Sequence, residues 1–164
     1  MDLYEKGIAV NSLSKTYSIP GIRVGWVASN TEVADILRDY RDYTMICAGV
    51  FDDMVATLVL ENKEAILERN RQIVEENLAL MDAWIAKEPK ASWIRPASVS
   101  TSFVKLDVNR PIEDFALELL QDYGVLVVPG NRFDKESHIR IGYCCDKEVL
   151  QKGLEKLSQF LNKC

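Results

Sequence analysis

The stretch Asn11–Trp26, with the sequence NSLSKTYSIPGIRVGW, constrains this chain more than any other part of it. The apolar run Ile8–Val10 comes immediately before it and is typical of a short buried strand. Pro20-Gly21 predicts a turn, and the apolar residues of Ile22–Val27 predict a second strand after that turn. Lys15 is therefore expected on a connection between two strands and not on a solvated helix face.

The residues around Lys15 favour a particular chemistry. A lysine held among apolar strands is expected to be desolvated, which disfavours its charged form and frees the amine as a nucleophile. Such an amine forms Schiff bases with aldehydes, including the aldehyde of pyridoxal phosphate. Ser12 and Ser14 offer hydroxyls to an anion, Arg23 offers a planar fork that binds phosphate bidentately, and Gly25 permits a close backbone approach. Without this surrounding pattern, Lys15 would be an ordinary loop lysine and Arg23 a salt-bridge partner.

This stretch resembles the lysine motif of the class I/II aminotransferases, which are fold-type-I pyridoxal-phosphate enzymes. The resemblance rests on Ser12, Leu13, Ser14, Lys15, Ser18, Ile19, Gly21, Arg23, Val24 and Gly25. It implies that Lys15 is the Schiff-base lysine. It also implies that Ser12 and Arg23 bind the phosphate of the cofactor, with Ser14 as a further candidate for that task.

Composition excludes several classes of protein. A chain of 164 residues suits one domain or two small lobes, and its net charge of -5 without a basic stripe argues against a nucleic-acid surface. No apolar run approaches the ~20 residues that a membrane span needs. A zinc site is disfavoured because His138 is the only histidine and two of the cysteines are adjacent. Reduced thiols in a cytoplasm are the simplest account of the cysteines, which are Cys47, Cys144, Cys145 and Cys164.

Hydrophobic periodicity predicts alternating helices and strands after residue 30. Helices are expected after a cap at Thr31, over Asp52–Leu60, Lys63–Lys87 and Pro111–Tyr123, and after a cap at Asp146. Strands are expected over Ser92–Pro96, Thr101–Val108, Val125–Val128 and His138–Tyr143. Loops are expected over Thr44–Phe51, in contact with something buried, and over Asn131–Ser137, while Gly124 should end the helix before it.

These elements predict an α/β chain with two parts. By resemblance, residues 1–60 form the C-terminal remnant of a large cofactor-binding domain, including its last strands. Residues 61–164 form the long connecting helix and an α+β small domain with a mixed or antiparallel sheet. The two strands flanking Lys15 should lack sheet neighbours and expose unpaired edges.

Arg140 is the second candidate functional residue. It lies between Ile139 and Ile141 in a strand that otherwise favours apolar residues. From the alternation alone, it could face solvent or turn inward toward a partner. The sequence VLVVPGNRF followed by HIRIGY resembles the small-domain segment of the family, which implies that Arg140 binds the substrate α-carboxylate; Arg132 is expected to be a surface charge.

The resemblance implies an aminotransferase that moves an amino group between an amino acid and a 2-oxo acid, as a homodimer in the full-length protein. The carboxylate that protonates the pyridine nitrogen, the aromatic residue over the ring and the amides that cradle the phosphate are expected upstream of this sequence. The chain alone is therefore expected to be an inactive C-terminal fragment. Two alternatives stay open: a C–S lyase or amino-acid decarboxylase with the same cofactor, and a non-catalytic α+β interaction domain.

Overall fold

The computed structural model describes residues 4–164. The strands in this range are β1 (Ala9–Ser12), β2 (Gly25–Ala28), β3 (Ala91–Trp93), β4 (Thr101–Leu106), β5 (Val128–Pro129) and β6 (His138–Gly142). The helices are α1 (Thr31–Arg41), α2 (Val50–Glu61), α3 (Lys63–Ile85), α4 (Ile112–Tyr123) and α5 (Lys147–Leu161), and Gly130–Phe133 forms a short 3-10 helix. The chain divides into two compact units whose boundary, between Asn70 and Arg71, falls inside α3.

In the first unit, β1 and β2 form an antiparallel ribbon in which Asn11 lies opposite Trp26. The prediction of a buried strand over Ile8–Val10 is wrong in its bounds and in its burial: β1 begins at Ala9, and Val10 is 75% exposed. A two-stranded ribbon covers neither of its faces, so apolar side chains on it stay in contact with water. The second strand is also shorter than expected, because β2 begins only at Gly25.

Helices α1 and α2 start one or two residues earlier than their sequence signals indicate. The cap of α1 is Asn30 and not Thr31, because the Asn30 backbone is extended and its Oδ1 accepts a hydrogen bond from the Val33 amide at 2.9 Å. Helix α2 begins at Val50, so it includes Phe51, which was expected in a loop against something buried. Phe51 is instead 83% exposed.

The core of the first unit is small and lies between the Lys15 loop and α2. Leu13, Ala56 and Val59 are buried. Partly buried apolar side chains pack around them, namely Tyr17, Ile19, Ile22, Val24 and Ile66. This core therefore fixes the loop through Leu13, the residue between the two serines singled out above.

The second unit is a four-stranded antiparallel sheet in the order β3-β4-β6-β5, with α3, α4 and α5 contributing to its core. The predicted α+β unit with an antiparallel sheet is confirmed. Buried residues include Val104 and Ile139 from the sheet, Phe115 from α4 and Leu157 from α5. Burial of this kind, at roughly 25 cal/mol per Å² of apolar surface, is the main force that stabilises such a unit.

One end each of α4 and α5 agrees with the local signal in the sequence. Gly124 follows α4 in the left-handed conformation with φ 65°, and its amide donates to the Leu120 carbonyl, as predicted. Asp146 caps α5 through Oδ1, also as predicted. The bounds of the strands were predicted less accurately.

All four predicted strands of this unit are too long or misplaced. Strand β5 contains only Val128 and Pro129, which pair with β6. The predicted strand residues Val125–Val127 therefore lie outside it. The predicted polar loop over Asn131–Ser137 begins inside the 3-10 helix that follows β5. Within the described range, no helix combines the length and apolar character that a membrane span requires.

Candidate active site

The loop that carries Lys15 is fixed by one buried residue. Leu13 is fully buried, its amide donates to the Val24 carbonyl at 3.1 Å, and its carbonyl accepts from the Ile19 amide at 3.1 Å. The Asn70 side chain donates to the Thr16 carbonyl at 2.9 Å. The loop is therefore held from both sides of Lys15.

Three of the predicted site residues lie together at this loop. Arg23 Nη1 donates to Ser14 Oγ at 3.4 Å and to the Pro20 carbonyl at 2.8 Å. The Ser14 amide in turn lies 3.4 Å from Ser12 Oγ, which accepts its hydrogen bond. The structure thus joins Ser12, Ser14 and Arg23 in one hydrogen-bonded cluster next to Lys15.

Two backbone features allow this cluster to form. Arg23 has a φ of 51°, in the left-handed region that non-glycine residues seldom adopt. At Gly25, an added Cβ would lie 2.6 Å from the Asn11 carbonyl oxygen, so only glycine lets β2 come this close to β1. The strained arginine and the compact glycine together bring the end of the loop back toward the serines.

Lys15 itself does not have the environment predicted from the sequence. Its side chain is exposed, so the expectation of a desolvated lysine is wrong for this chain. The physical reason is that the flanking strands form an open ribbon, which shields nothing beside it. Within residues 4–164, the side-chain amine of Lys15 has no hydrogen bond or ion pair. The backbone carbonyl of Lys15 accepts a hydrogen bond from the Ser18 amide at 3.1 Å.

The cluster fits a phosphate group. Among the described residues, no carboxylate forms an ion pair with Arg23, so its positive charge is not compensated. The two serine hydroxyls can both donate to an anion, and a guanidinium binds a phosphate as a charged fork. Ser12, Ser14 and Arg23 are all accessible on the surface of the unit or half-buried. This donor set suits the phosphate of pyridoxal phosphate, whose aldehyde would then require an amine such as that of Lys15.

Arg140 belongs to the second unit, where it lies in the middle of β6. Ile139 and Ile141 are buried and Arg140 is exposed, so of the two orientations left open by the sequence, the side chain adopts the outward one. Its guanidinium lies over the ring of Phe133, with Cζ 5.1 Å from the ring centroid. Among the described residues, no carboxylate lies within ion-pair distance of Arg140. Arg132, in contrast, pairs with Glu113, as befits a surface charge.

An open cavity of about 270 Å³ lies beside this arginine. Its walls are Thr101, Ser102, Phe103, Phe133 and Arg140. His138 stacks on Phe103 with their centroids 4.8 Å apart, and burial, assisted by the charges of Lys135 and Lys105, lowers the pKa of His138. Phe133 is not among the residues predicted for the site, although an aromatic residue between a Pro-Gly turn and the arginine strand was available as a signal.

The cysteines offer no competing site. Cys47, Cys144, Cys145 and Cys164 are free and exposed. Across the part of the chain that the structure describes, no group of three or more histidine, cysteine, aspartate or glutamate side chains is arranged to hold a metal ion.

Comparison with known proteins decides the family. Residues 1–157 match the family model for aminotransferase class I and II. The chain belongs to the class I/II aminotransferases. These are pyridoxal-phosphate enzymes, and the fold-type-I architecture expected from the lysine motif is confirmed.

Relatives of this aminotransferase chain are similar along nearly all of it. A solved pyridoxal-phosphate-dependent aminotransferase from Streptococcus suis 89-1591 is 67% identical, with a TM-score of 0.96 over 99% of this chain and 43% of that one. Capreomycidine synthase from Streptomyces vinaceus is 28% identical over 158 residues, which are 96% of this chain and 41% of the relative. A probable N-acetyl-LL-diaminopimelate aminotransferase from Bacillus subtilis is 27% identical over 170 residues, covering 98% and 42%. The chain thus spans about two-fifths of the length of these relatives.

Proposed function

We propose that the protein containing this chain is an aminotransferase that exchanges an amino group between an amino acid and a 2-oxo acid. The observation that carries this proposal is the hydrogen-bonded cluster of Ser12, Ser14 and Arg23 on the loop that carries Lys15. Donors for a phosphate and an amine on one short loop are what a phosphorylated aldehyde needs. Family membership restricts that aldehyde to pyridoxal phosphate.

Ser12, Ser14 and Arg23 hold the phosphate in this proposal, with the guanidinium supplying charge and the serines supplying hydroxyl donors. When bound, pyridoxal phosphate supplies the aldehyde that Lys15 engages and an electron sink that acidifies the Cα–H bond of the substrate. Lys15 Nζ would also take the proton from substrate Cα and later return one, as general base and then general acid.

Arg140 binds the α-carboxylate of the substrate. Its guanidinium has no acidic partner among the described residues and presents several N–H donors beside an open cavity. A bidentate pair with the carboxylate would fix the orientation of the substrate, and such positioning raises the rate of a reaction.

The isolated chain is expected to turn over little or no substrate. Lys15, Arg23 and Arg140 are all exposed, so water is not excluded from the groups that must react. The remaining part of the family fold supplies that exclusion in this proposal. A homodimeric assembly and a cytoplasmic location are further parts of the same proposal.

A second reaction of the same cofactor has one observation in its favour. Capreomycidine synthase is a relative of this chain, and its name denotes a synthase and not an aminotransferase. The loop around Lys15 does not distinguish between the two, because any reaction of this cofactor needs the same phosphate and amine contacts. The distinction therefore requires an assay of products. No observation specifically favours a C–S lyase or a decarboxylase.

A chimaera tests the proposal. This chain would be joined to the part of the Streptococcus suis aminotransferase that lies outside the 43% it matches, since the two are 67% identical where they correspond. The chimaera should bind pyridoxal phosphate, become yellow and transfer amino groups from amino acids to 2-oxo acids. The Lys15→Ala chimaera and the 164-residue chain alone are the controls. Cofactor binding with release of a product other than a 2-oxo acid would favour the synthase type of reaction, and no cofactor binding by a folded chimaera would refute both.

A further inference from the structure

An aromatic cluster of Phe103, Phe133 and His138 lies beside Arg140 on the sheet of the second unit. Phe103 on β4 lies directly opposite Arg140 in the register of β4 and β6. The Phe133 ring meets the Phe103 ring edge to face, with centroids 5.8 Å apart. The His138 ring stacks on the Phe103 ring, with centroids 4.8 Å apart. Phe133 thus packs against Phe103, which itself packs against His138. Phe133 is the member of the cluster that contacts the guanidinium of Arg140.

The 3-10 helix that carries Phe133 is fixed against both β6 and α4. At Gly130, an added Cβ would lie 2.4 Å from the His138 carbonyl oxygen, so the helix begins in tight contact with β6. Asn131 Nδ2 donates to Glu113 Oε2 at 2.7 Å, and Arg132 pairs with the same carboxylate. The Lys135 amide closes the turn by donating to the Gly130 carbonyl at 3.0 Å. These contacts hold the backbone before and after Phe133 in sequence.

The contact between Phe133 and Arg140 has a consequence for anion binding. A guanidinium within about 6 Å of a ring centroid is attracted by the negative face of the ring. This attraction leaves the N–H donors at the edge of the guanidinium free, because the ring occupies a face and not an edge. A free arginine side chain has many rotamers, and ordering it is part of the cost of binding a ligand.

We propose that Phe133 is a positioning residue for Arg140 and that it holds the guanidinium ready to bind a carboxylate edge-on. This inference rests on the proposed function, in which Arg140 binds the substrate α-carboxylate. Phe133 lowers the conformational cost of that step and shields one face of the guanidinium from water. It touches no reacting atom, so its removal should weaken carboxylate binding without changing the chemistry.

The test measures the Nε–Hε signal of Arg140 by NMR in the 164-residue chain, assigned by its loss in Arg140→Lys. In Phe133→Leu, which keeps an apolar side chain but has no ring, the ring-current shift of this signal should disappear. In Phe133→Tyr, which keeps the ring, it should remain. Acetate, added in a buffer free of phosphate, is the carboxylate probe. Its dissociation constant at Arg140 should rise about two- to fivefold in Phe133→Leu, the size expected for an exposed cation–π contact, and should be unchanged in Phe133→Tyr.

The possible outcomes separate this inference from the proposed function. If Phe133→Leu binds acetate as well as the wild type while the core amides of Phe115 and Tyr143 are unchanged, Phe133 does not position Arg140, and the carboxylate role of Arg140 stands. If acetate does not perturb the Arg140 signal in the wild-type chain, the carboxylate role itself is refuted, and the role of Phe133 with it. Weaker binding in both Phe133→Leu and Phe133→Tyr would also contradict the inference, since the ring would then not be the cause.

Discussion

Arg23 donates a hydrogen bond to Ser14 at 3.4 Å across nine positions of sequence, and this contact organises the loop that carries Lys15. Ser14 precedes the lysine directly, so the same bond places a positive charge and a hydroxyl at the position next to Lys15 in the loop. The guanidinium is held at a second point by the Pro20 carbonyl, which leaves its other N–H donors available to an anion.

The first prediction concerns this cluster. Arg23→Gln should weaken pyridoxal phosphate binding by the chimaera about tenfold to a hundredfold, because a charge-assisted pair to the phosphate is lost. Binding of pyridoxal, which has no phosphate, should be unchanged. Both dissociation constants can be measured by absorbance titration, with Arg38→Gln as the control, since Arg38 pairs with Asp35 on the exposed side of α1. Equal losses for the two ligands would mean that Arg23 stabilises the loop and does not contact phosphate.

The second prediction concerns the close approach of β1 and β2. Gly25→Ala should destabilise this ribbon by about 1–3 kcal/mol, because the new methyl group would meet the Asn11 carbonyl oxygen at 2.6 Å. Gly21→Ala is the matched control, since an added Cβ there would meet nothing within 4 Å. Hydrogen exchange of the β1 and β2 amides reports the difference. Similar exchange in the two variants would show that β2 has room to move away.

The third prediction separates two arginines of the second unit. Arg140→Ala in the chimaera should raise KM for the amino acid by an amount equivalent to about 2–4 kcal/mol, because the charge-assisted pair with the carboxylate is lost. Arg95→Ala should leave KM nearly unchanged, because this arginine pairs with Asp82 and does not line the cavity beside Arg140. Steady-state kinetics for both variants decide the matter, and an unchanged KM in Arg140→Ala would make Arg140 a structural residue.

The fourth prediction is a pH dependence of stability. Burial, with the charges of Lys135 and Lys105, lowers the pKa of His138 in the folded chain below its usual value of 6.5. The unfolded chain therefore binds this proton more readily, so His138 should reduce stability as the pH falls from about 6.5 through its folded pKa. His138→Phe keeps an aromatic ring next to Phe103 and removes the titration. The difference in unfolding free energy between His138→Phe and the wild type should be constant above neutral pH and grow in favour of the variant in acid. A difference independent of pH would contradict the account.

Local sequence signals predicted the α-helices, and they placed the caps at Gly124 and Asp146 correctly. The spacing of apolar residues predicts α3 from its first residue, Lys63, and the caps at Gly124 and Asp146 follow from the chemistry of a single residue. Asn30 and Thr31 are both good caps, and only the backbone conformation selects Asn30. Such choices between neighbours depend on dihedral angles that a residue type does not specify.

Burial and side-chain direction could not be predicted in the same way. Ile8–Val10 has the composition of a buried strand, but burial depends on what covers a strand, and an open ribbon covers nothing. Arg140 faces outward because Ile139 and Ile141 face the core, a choice between two orientations that alternation alone leaves open. Phe133 reaches Arg140 through a 3-10 helix whose position depends on contacts with β6 and α4.

The central claim is that Lys15 is the amine that joins the cofactor, and one measurement tests it directly. Pyridoxal phosphate is bound to the chimaera, the complex is reduced with borohydride, and the modified peptide is identified by mass spectrometry. The account predicts a phosphopyridoxyl group on Lys15 in the wild-type chimaera and none in Lys15→Ala. Attachment to a different lysine in the wild type, or labelling that persists in Lys15→Ala, would contradict it.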